Sequence, residues 1–212
     1  MAEGARLLSE YTVYPVSRVR IPPPSFCAPI AQLDRATAYE AVGWWFEPTS
    51  VYLLWMLCSM AALDKHYMEL ALRLARDAAQ MGEVPVGAVL VVEGKLSGWG
   101  CNHRMADNDV LGHAELLAIQ TASKSVANWR MMRSTLYVTL EPCIMCTGAL
   151  LQARIDRVVF GCRDAKGGAM RSLYALGEDP RLNHRIKVDE GVLADDCARL
   201  LRDFFDKLRK KD

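Results

Sequence analysis

The segment Glu141-Pro142-Cys143-Ile144-Met145-Cys146 constrains the fold more than any other part of the 212-residue chain. It follows an alternating run at residues 135–140 that predicts a β-strand. Pro142 suits the first turn of a helix, so the segment predicts a strand that leads directly into a helix. Cys143 and Cys146 are three residues apart and share one helical face, so both sulfurs can bind one metal ion. The helix N-terminus favours the thiolate form that coordination needs.

A second pattern, His113-Ala114-Glu115, opens another predicted helix. Zinc in proteins usually has four ligands, and the two cysteines supply only two of them. His113 can supply a nitrogen as the third ligand. The fourth position then stays open for water, as in catalytic zinc sites. Zinc lowers the pKa of its bound water to about 7. Glu115, beside the metal and not on it, is then the candidate general acid and base that takes the proton of the water and passes it on.

Each half of this pattern has a simpler explanation when taken alone. A single histidine is more often structural, and a Cys-x-x-Cys pair can be a redox motif or half of a structural zinc knuckle. A redox motif does not need His113. A structural knuckle needs a fourth ligand nearby, and none of the other histidines (His66, His103, His184) has that spacing. The joint pattern therefore favours a catalytic zinc site.

Hydrophobic periodicity in residues 60–212 predicts helices that alternate with strands. Asp64 is a suitable N-cap for an amphipathic first helix, and Gly82 lies just past its end. The turn Glu93-Gly94 between two short apolar runs predicts a β-hairpin. The predicted strands are residues 87–92, 95–100, 135–140, 157–162 and 186–188, and the later helices are residues 114–122, the segment after Cys143, and residues 194–208. This order predicts an α/β structure with helices covering a central sheet.

Composition excludes several classes of protein. Hydrophobic residues make up 51% and charged residues 24% of the chain, which is typical of one globular domain. Seven cysteines, odd in number and scattered, indicate reduced thiols with a metal site and not a disulfide framework. The longest apolar run, residues 51–63, is too short for a membrane span, so we expect none. A net charge of +1 does not by itself indicate binding to nucleic acid.

Residues 1–59 lack a sustained helical or strand period. Back-translation offers a reason: residues 31–36 fit the D-arm of a tRNA gene, and residues 45–48 and 19–22 fit T-arms. We hypothesise that this extension is translated from upstream tRNA genes and that the protein itself begins at Met60 or Met56. A disordered arm or a targeting leader is the alternative, and the upstream nucleotide sequence decides between them.

From about Met60 to the C-terminus the chain resembles bacterial tRNA-specific adenosine deaminases. Its H-x-E and P-C-x-x-C segments form the signature that these enzymes share with other zinc-dependent nucleobase and nucleotide deaminases. The further matching segments, which narrow the resemblance, are Glu83-Val84-Pro85-Val86-Gly87-Ala88-Val89, Asn102, Leu136-Tyr137-Val138-Thr139-Leu140-Glu141, Arg157-Val158-Val159-Phe160-Gly161, Arg163-Asp164-Ala165-Lys166, Asn183-His184-Arg185 and Asp203-Phe204-Phe205.

The resemblance implies a three-layer, cytidine-deaminase-like α/β fold, with a mixed sheet of about five strands flanked by helices. It implies hydrolytic conversion of adenosine to inosine at the wobble position of an arginine tRNA, in a cytoplasmic homodimer with one zinc ion per subunit. Two alternatives stay open. One is a deaminase of a free base or nucleotide, of the guanine, cytosine or deoxycytidylate type; the other is a non-catalytic zinc- or RNA-binding module.

The resemblance also implies roles for four further positions. Asn102 would hydrogen-bond the target nucleoside, the backbone at Ala114 would read the purine edge, and Asp164 and Lys166 would lie beside the anticodon loop. Asn102 could instead be a turn residue and Asp164 a cap.

The last helix carries two further candidates for contact with RNA. Phe205 could stack near the target base, although we expect it to belong to the core together with Leu200, Leu201 and Phe204. The basic segment Lys207-Leu208-Arg209-Lys210-Lys211 suits a tRNA backbone, and is equally typical of a solvated helix end.

Overall fold

The computed structural model describes the backbone of residues 48–210 and the side chains of residues 60–210. The fold is that of the compact unit Leu53–Asp212. The predicted boundary between residues 59 and 60 falls inside the first helix, and the origin of residues 1–59 stays a prediction because most of them, like Lys211, lie outside the described residues. Within the described part, no helix has both the length and the apolar composition needed to cross a membrane.

Residues 48–210 contain four α-helices and five strands. The helices are α1 (Pro48–Gln80), α2 (Ala114–Val126), α3 (Ile144–Gln152) and α4 (Ala194–Arg209). The strands are β1 (Gly87–Val92), β2 (Lys95–Cys101), β3 (Ser134–Leu140), β4 (Arg157–Cys162) and β5 (Lys187–Glu190), with a short 3-10 turn at Leu176–Glu178 before β5. Most of the predicted bounds are reproduced within a few residues.

The strands form one mixed sheet in the order β2-β1-β3-β4-β5. Strand β1 pairs antiparallel with both β2 and β3, while β4 is parallel to β3 and to β5. Glu93 and Gly94 form the turn between β1 and β2, and both have positive φ angles, 51° and 76°, as a two-residue hairpin of this kind requires. The parallel strands place their carboxyl ends at one edge of the sheet, where α3 follows β3.

Two hydrophobic clusters lie on opposite faces of the sheet and make the fold a three-layer α/β structure. One contains Leu136, Val138 and Phe160 and is covered by the buried face of α2 and by Leu150 of α3. The other contains Val89 and Tyr137 and is covered by α1 and by Cys197 of α4. Successive strand residues point to opposite faces, so each central strand contributes to both clusters. The predicted fold class is confirmed.

Asp64 lies inside α1, so the predicted helix start at this residue is wrong. The Asp64 carboxylate accepts hydrogen bonds from the Tyr137 hydroxyl at 2.9 Å and from the Arg157 guanidinium at 2.7 Å. Arg157 also donates to Asp189 at 2.6 Å, so these bonds connect α1 to β3, β4 and β5. An acidic residue before an amphipathic run resembles a cap in sequence, but here its partners come from distant strands.

Candidate active site

Helices α2 and α3 begin at the same place in the fold. His113 is the N-cap residue of α2 and Cys143 is the N-cap residue of α3, and neither side chain makes a capping hydrogen bond. Pro142 therefore lies before the helix and not in its first turn, which corrects the prediction for that residue. N-caps are usually Ser, Thr, Asp or Asn, whose oxygens bond to free N–H groups of the first turn. Here the two cap side chains are directed to each other instead.

The donor atoms of His113, Cys143 and Cys146 all lie within 4.8 Å of one another. His113 Nδ1 is 3.8 Å from Cys143 Sγ and 3.5 Å from Cys146 Sγ. Tetrahedral zinc with ordinary Zn–N and Zn–S bond lengths separates a nitrogen and a sulfur ligand by about 3.6 Å. The three residues therefore fit a zinc ion as ligands, and leave a fourth position for another molecule. The structure brings together the ligand set that the sequence predicted.

The pKa values of Cys143 and Cys146 are shifted in opposite directions by the contact between their sulfurs. The hydrogen bond from the Cys146 thiol, followed by that from His113, lowers the pKa of Cys143 to about 4. The same contact with Cys143, together with burial and the nearby Glu115 carboxylate, raises the pKa of Cys146. Two sulfurs this close do not both ionise without a positive charge between them. A divalent ion supplies that charge and allows both to act as thiolates.

Glu115 lies in the first turn of α2 and is only 4% exposed. Burial is the main reason that its pKa is raised to about 7, and a hydrogen bond from its own backbone N–H partly opposes this effect. The charges of Cys143 and His113 and an interaction with Cys146 also affect the pKa of this carboxyl, so it borders the candidate ligand cluster without belonging to it. A carboxyl that titrates near neutral pH can both accept and donate a proton.

Two glycines of β2 allow α2 to approach the sheet closely. A Cβ atom at Gly98 would be 2.1 Å from the carbonyl oxygen of Ala118, and one at Gly100 would be 2.6 Å from that of Ala114. The facing residues of α2 are small and fully buried alanines. This contact fixes the position of the helix that carries Glu115 and follows His113.

Asn102 and Ala114 lie at the ends of the chain segment that connects β2 to α2. Asn102 immediately follows β2 and is 7% exposed. The next residue, His103, donates its N–H to the carbonyl of Gly112 at 2.8 Å, which brings this end of β2 beside the start of α2. Ala114 is the first residue of α2, where backbone N–H groups lack an intrahelical acceptor. Their contacts with a nucleoside stay predictions.

Asp164 and Lys166 lie in the loop that follows β4. Asp164 accepts a hydrogen bond from the Lys166 N–H at 2.9 Å, so it shapes a turn and does not cap a helix. The loop contacts the candidate metal site, because Gly168 pairs with Cys143 and Ala169 donates to the carbonyl of Pro142 at 2.9 Å.

The same loop forms one wall of a groove of about 710 Å³, and α4 forms the other. The groove is lined by Val84, Leu140, Arg163, Asp164, Ala165, Lys166, Leu201, Arg202, Phe205, Leu208 and Arg209. Phe205 is 43% exposed in this groove, so its predicted place in the core is wrong. Phe204 is half-buried, and Phe205 lies about 100° further around the helix, where it lines the groove.

Two buried glutamates beside the site were not assigned a role from the sequence. Glu83 is 1% exposed and Glu141 is 2% exposed. Glu141 accepts hydrogen bonds from the N–H groups of Asp164, Met170, Arg171 and Ser172 and from the Ser172 hydroxyl, so it holds the loop that contacts Cys143. Burial alone would raise the pKa of Glu141, but these hydrogen bonds lower it. For Glu141, the sequence signal for this role was an acidic residue at the end of a largely apolar strand.

Comparison with known proteins places the chain among deaminases. Residues 63–209 match the MafB19-like deaminase family. The tRNA-specific adenosine deaminase of Haemophilus influenzae is 45% identical over 149 residues, which cover 70% of this chain and 86% of that protein. The tRNA-specific adenosine deaminase of Bacillus subtilis is 45% identical over 148 residues, which cover 70% of this chain and 92% of that protein.

A solved structure agrees with these sequence matches. A structure from work on A-to-I editing by tRNA:A34 deaminases at the wobble position of transfer RNA is similar at 41% sequence identity with a TM-score of 0.62. The match covers 64% of this chain and 99% of that one.

Proposed function

Because the chain belongs to the family of tRNA-specific adenosine deaminases, we propose that it converts adenosine to inosine at the wobble position of a tRNA anticodon, with an arginine tRNA as substrate. The observation that carries the proposal is the cluster of His113, Cys143 and Cys146 beside the buried Glu115 carboxyl. A redox pair or a structural zinc site does not need a buried general acid and base at this place.

His113, Cys143 and Cys146 would hold one zinc ion per subunit. When bound, zinc lowers the pKa of a coordinated water to about 7, which provides the nucleophile near neutral pH. Glu115 would take one proton of that water and pass it to a ring nitrogen of adenine. In the net reaction the water oxygen replaces the exocyclic nitrogen on C6. Glu115 would pass the second proton of the water to the exocyclic nitrogen, which leaves as ammonia, so that inosine remains.

The surroundings of the cluster suit an RNA loop better than a free base. Asn102 and the backbone at Ala114 would contact the target nucleoside, while Asp164 and Lys166 would lie beside its neighbours in the anticodon loop. The adjoining groove combines an exposed aromatic ring, Phe205, with the cationic side chains of Lys166 and Arg202, which belong to none of the ion pairs of residues 60–210. Cationic and aromatic groups of this kind bind phosphates and unstacked bases. The basic residues at the end of α4 extend this surface.

The chain would work as a homodimer in the cytoplasm, where its tRNA substrate is found. Both statements follow from the family and not from the fold of a single chain. Sedimentation of the purified protein, with and without an anticodon stem-loop, measures the number of subunits. A monomer that is fully active on RNA would contradict the proposed assembly.

The decisive assay compares purified chain acting on anticodon stem-loops with adenine or guanine at the wobble position, and on free adenosine, guanine and cytidine. We expect inosine only from the stem-loop with adenine. Turnover of a free base or nucleoside without RNA would favour the small-molecule deaminase. A zinc-loaded protein that binds the stem-loop and forms no inosine would favour the non-catalytic module.

A further inference from the structure

Glu83 is a buried carboxylate in the short segment between α1 and β1. It is 1% exposed, and both of its oxygens are used. Oε2 accepts a hydrogen bond from the Asn102 side-chain Nδ2 at 3.1 Å. Oε1 accepts from the backbone N–H groups of Met105 and Ala106 at 2.6 and 2.7 Å. These donors all belong to the start of the segment that connects β2 to α2.

The partners of Glu83 are neutral. Among the ion pairs of residues 60–210, none includes this carboxylate. Burial of a carboxylate is unfavourable unless hydrogen bonds replace its hydration, and the three N–H donors provide that replacement. Breaking any of these bonds leaves a buried group unsatisfied, so the carboxylate strongly favours a single arrangement of its donors.

The bond to Asn102 fixes the orientation of its carboxamide. A carboxylate only accepts hydrogen bonds, so it selects the NH₂ end of the amide and excludes the flipped orientation. One N–H of Asn102 is used by Glu83, which leaves the carbonyl oxygen and the second N–H for another molecule. Asn102 is itself buried, at 7% exposed, so it has little freedom to reorient.

The bonds to Met105 and Ala106 fix the loop that begins after Asn102 and ends at His113. His103 also donates to the carbonyl of Gly112 at 2.8 Å, so the two ends of the loop lie side by side. The Glu83 carboxylate therefore fixes the orientation of the Asn102 amide. It also fixes the path of the loop that leads to His113, a candidate metal ligand.

We propose that Glu83 is a positioning residue for deamination, which holds the Asn102 carboxamide in the orientation that binds the target nucleoside. The inference rests on the proposed function, because it assigns Asn102 to the substrate. Glu83 acts on the reaction through Asn102, and does not touch the reacting atoms.

A double-mutant cycle tests this role with the full chain and an anticodon stem-loop carrying adenine at the wobble position. We expect Glu83→Gln to lower kcat/KM about 10- to 100-fold, since it removes a charged hydrogen-bond acceptor. Because the two residues act as one unit, Glu83→Gln combined with Asn102→Ala should lose no more than about threefold beyond Asn102→Ala alone. Glu93→Gln, which changes an exposed glutamate, is the matched control and should keep the wild-type rate.

Zinc content and the unfolding midpoint of each variant show whether a loss of rate is only a loss of fold. If Glu83→Gln does not fold, the cycle is run with Glu83→Asp, which keeps the charge and shortens the side chain. Two results would overturn the proposal. One is a double variant whose loss of kcat/KM equals the product of the two single losses. The other is a folded Glu83→Gln variant whose kcat/KM is within twofold of the wild type.

The two proposals fail in different ways. Absence of inosine with the wild-type chain contradicts the proposed function. In that case, NMR of the Asn102 side-chain amide still tests the positioning: its protons should exchange slowly in the wild type and at least tenfold faster in Glu83→Gln. Equal exchange in both proteins would overturn the inference.

Discussion

His113 and Cys143 are the N-cap residues of two different helices, and their Nδ1 and Sγ atoms lie 3.8 Å apart. Each position lacks the side-chain hydrogen bond that usually stabilises a helix start, a loss of about 1 kcal/mol for a typical cap. The positive ends of both helices face the same point, where they favour thiolate and carboxylate groups. Local helix stability is therefore reduced at the place where the candidate metal ligands lie together.

Removal of one sulfur should abolish metal binding. Cys146→Ala leaves a nitrogen and one sulfur, and we expect the zinc content to fall from about one ion per chain to a small fraction of that. Inosine formation should be lost with it. Cys162→Ser is the matched control, because that thiol donates to the carbonyl of Thr139 and lies outside the cluster of His113, Cys143 and Cys146. Zinc measured by atomic emission in Cys146→Ala at the wild-type level would contradict the assigned ligand set.

Replacement of the buried carboxyl should separate metal binding from catalysis. Glu115→Gln keeps the shape of the side chain but cannot take a proton, so we expect kcat to fall about 100- to 10,000-fold. The zinc content should stay at the wild-type level, since Glu115 lies beside the ligand cluster. Single-turnover inosine formation on the stem-loop measures the loss. A variant that keeps more than a tenth of the wild-type rate would exclude Glu115 as the proton carrier.

Addition of one methyl group to β2 should displace α2. In Gly100→Ala the new Cβ would be 2.6 Å from both the carbonyl oxygen of Ala114 and the Cβ of Leu117. Overpacking of this kind destabilises a fold by about 1–3 kcal/mol, and here it shifts the helix that carries Glu115. We expect a lower Tm together with a larger fractional loss of kcat/KM. Trp99→Phe, at a partly exposed position of the same strand, should leave both quantities close to wild type.

The ion pair between Arg157 and Asp189 should make stability depend on pH. Burial raises the pKa of Asp189, but the hydrogen bond and charge of Arg157 outweigh it, so the pKa lies below its usual value. A lowered folded-state pKa stabilises the fold above the unfolded pKa of about 3.9, and this stabilisation is lost as the pH falls through the folded-state value.

We compare the free energies of unfolding of the wild type and Asp189→Asn by urea denaturation between pH 8 and pH 3. The side chain of Asp189 is 33% exposed, and solvent screening limits the expected difference to roughly 1 kcal/mol or less. The difference should be constant above about pH 5 and shrink below about pH 4. A stability difference that grows as the pH falls would contradict a lowered pKa of Asp189 in the folded protein.

Short-range patterns in the sequence predicted most of the secondary structure. Strands β1 and β4 have the predicted bounds, because a run of apolar residues between turn signals depends little on distant partners. The prediction for Asp64 was wrong for the opposite reason. Tyr137 and Arg157 are its partners, and both are more than 70 residues away in sequence.

The roles of Glu83 and Glu141 also depend on distant residues. Glu141 binds the backbone of residues 164–172, and Glu83 binds that of residues 105–106. Backbone N–H groups are present at every residue except proline, so the sequence does not indicate which ones a carboxylate will meet. The close contact of Gly100 with α2 was missed for the same reason.

The sequence by itself determined the donor types and the deaminase family, because His, Glu and two Cys at these spacings carry the chemistry in their own atoms. The tertiary structure alone decided that the donor atoms of His113, Cys143 and Cys146 lie within 4.8 Å of one another and that Glu115 is buried beside them. The physical reason is that ligand distances, burial and pKa shifts arise from contacts between segments far apart in the chain. Those contacts exist only when α2 and α3 are packed on the sheet.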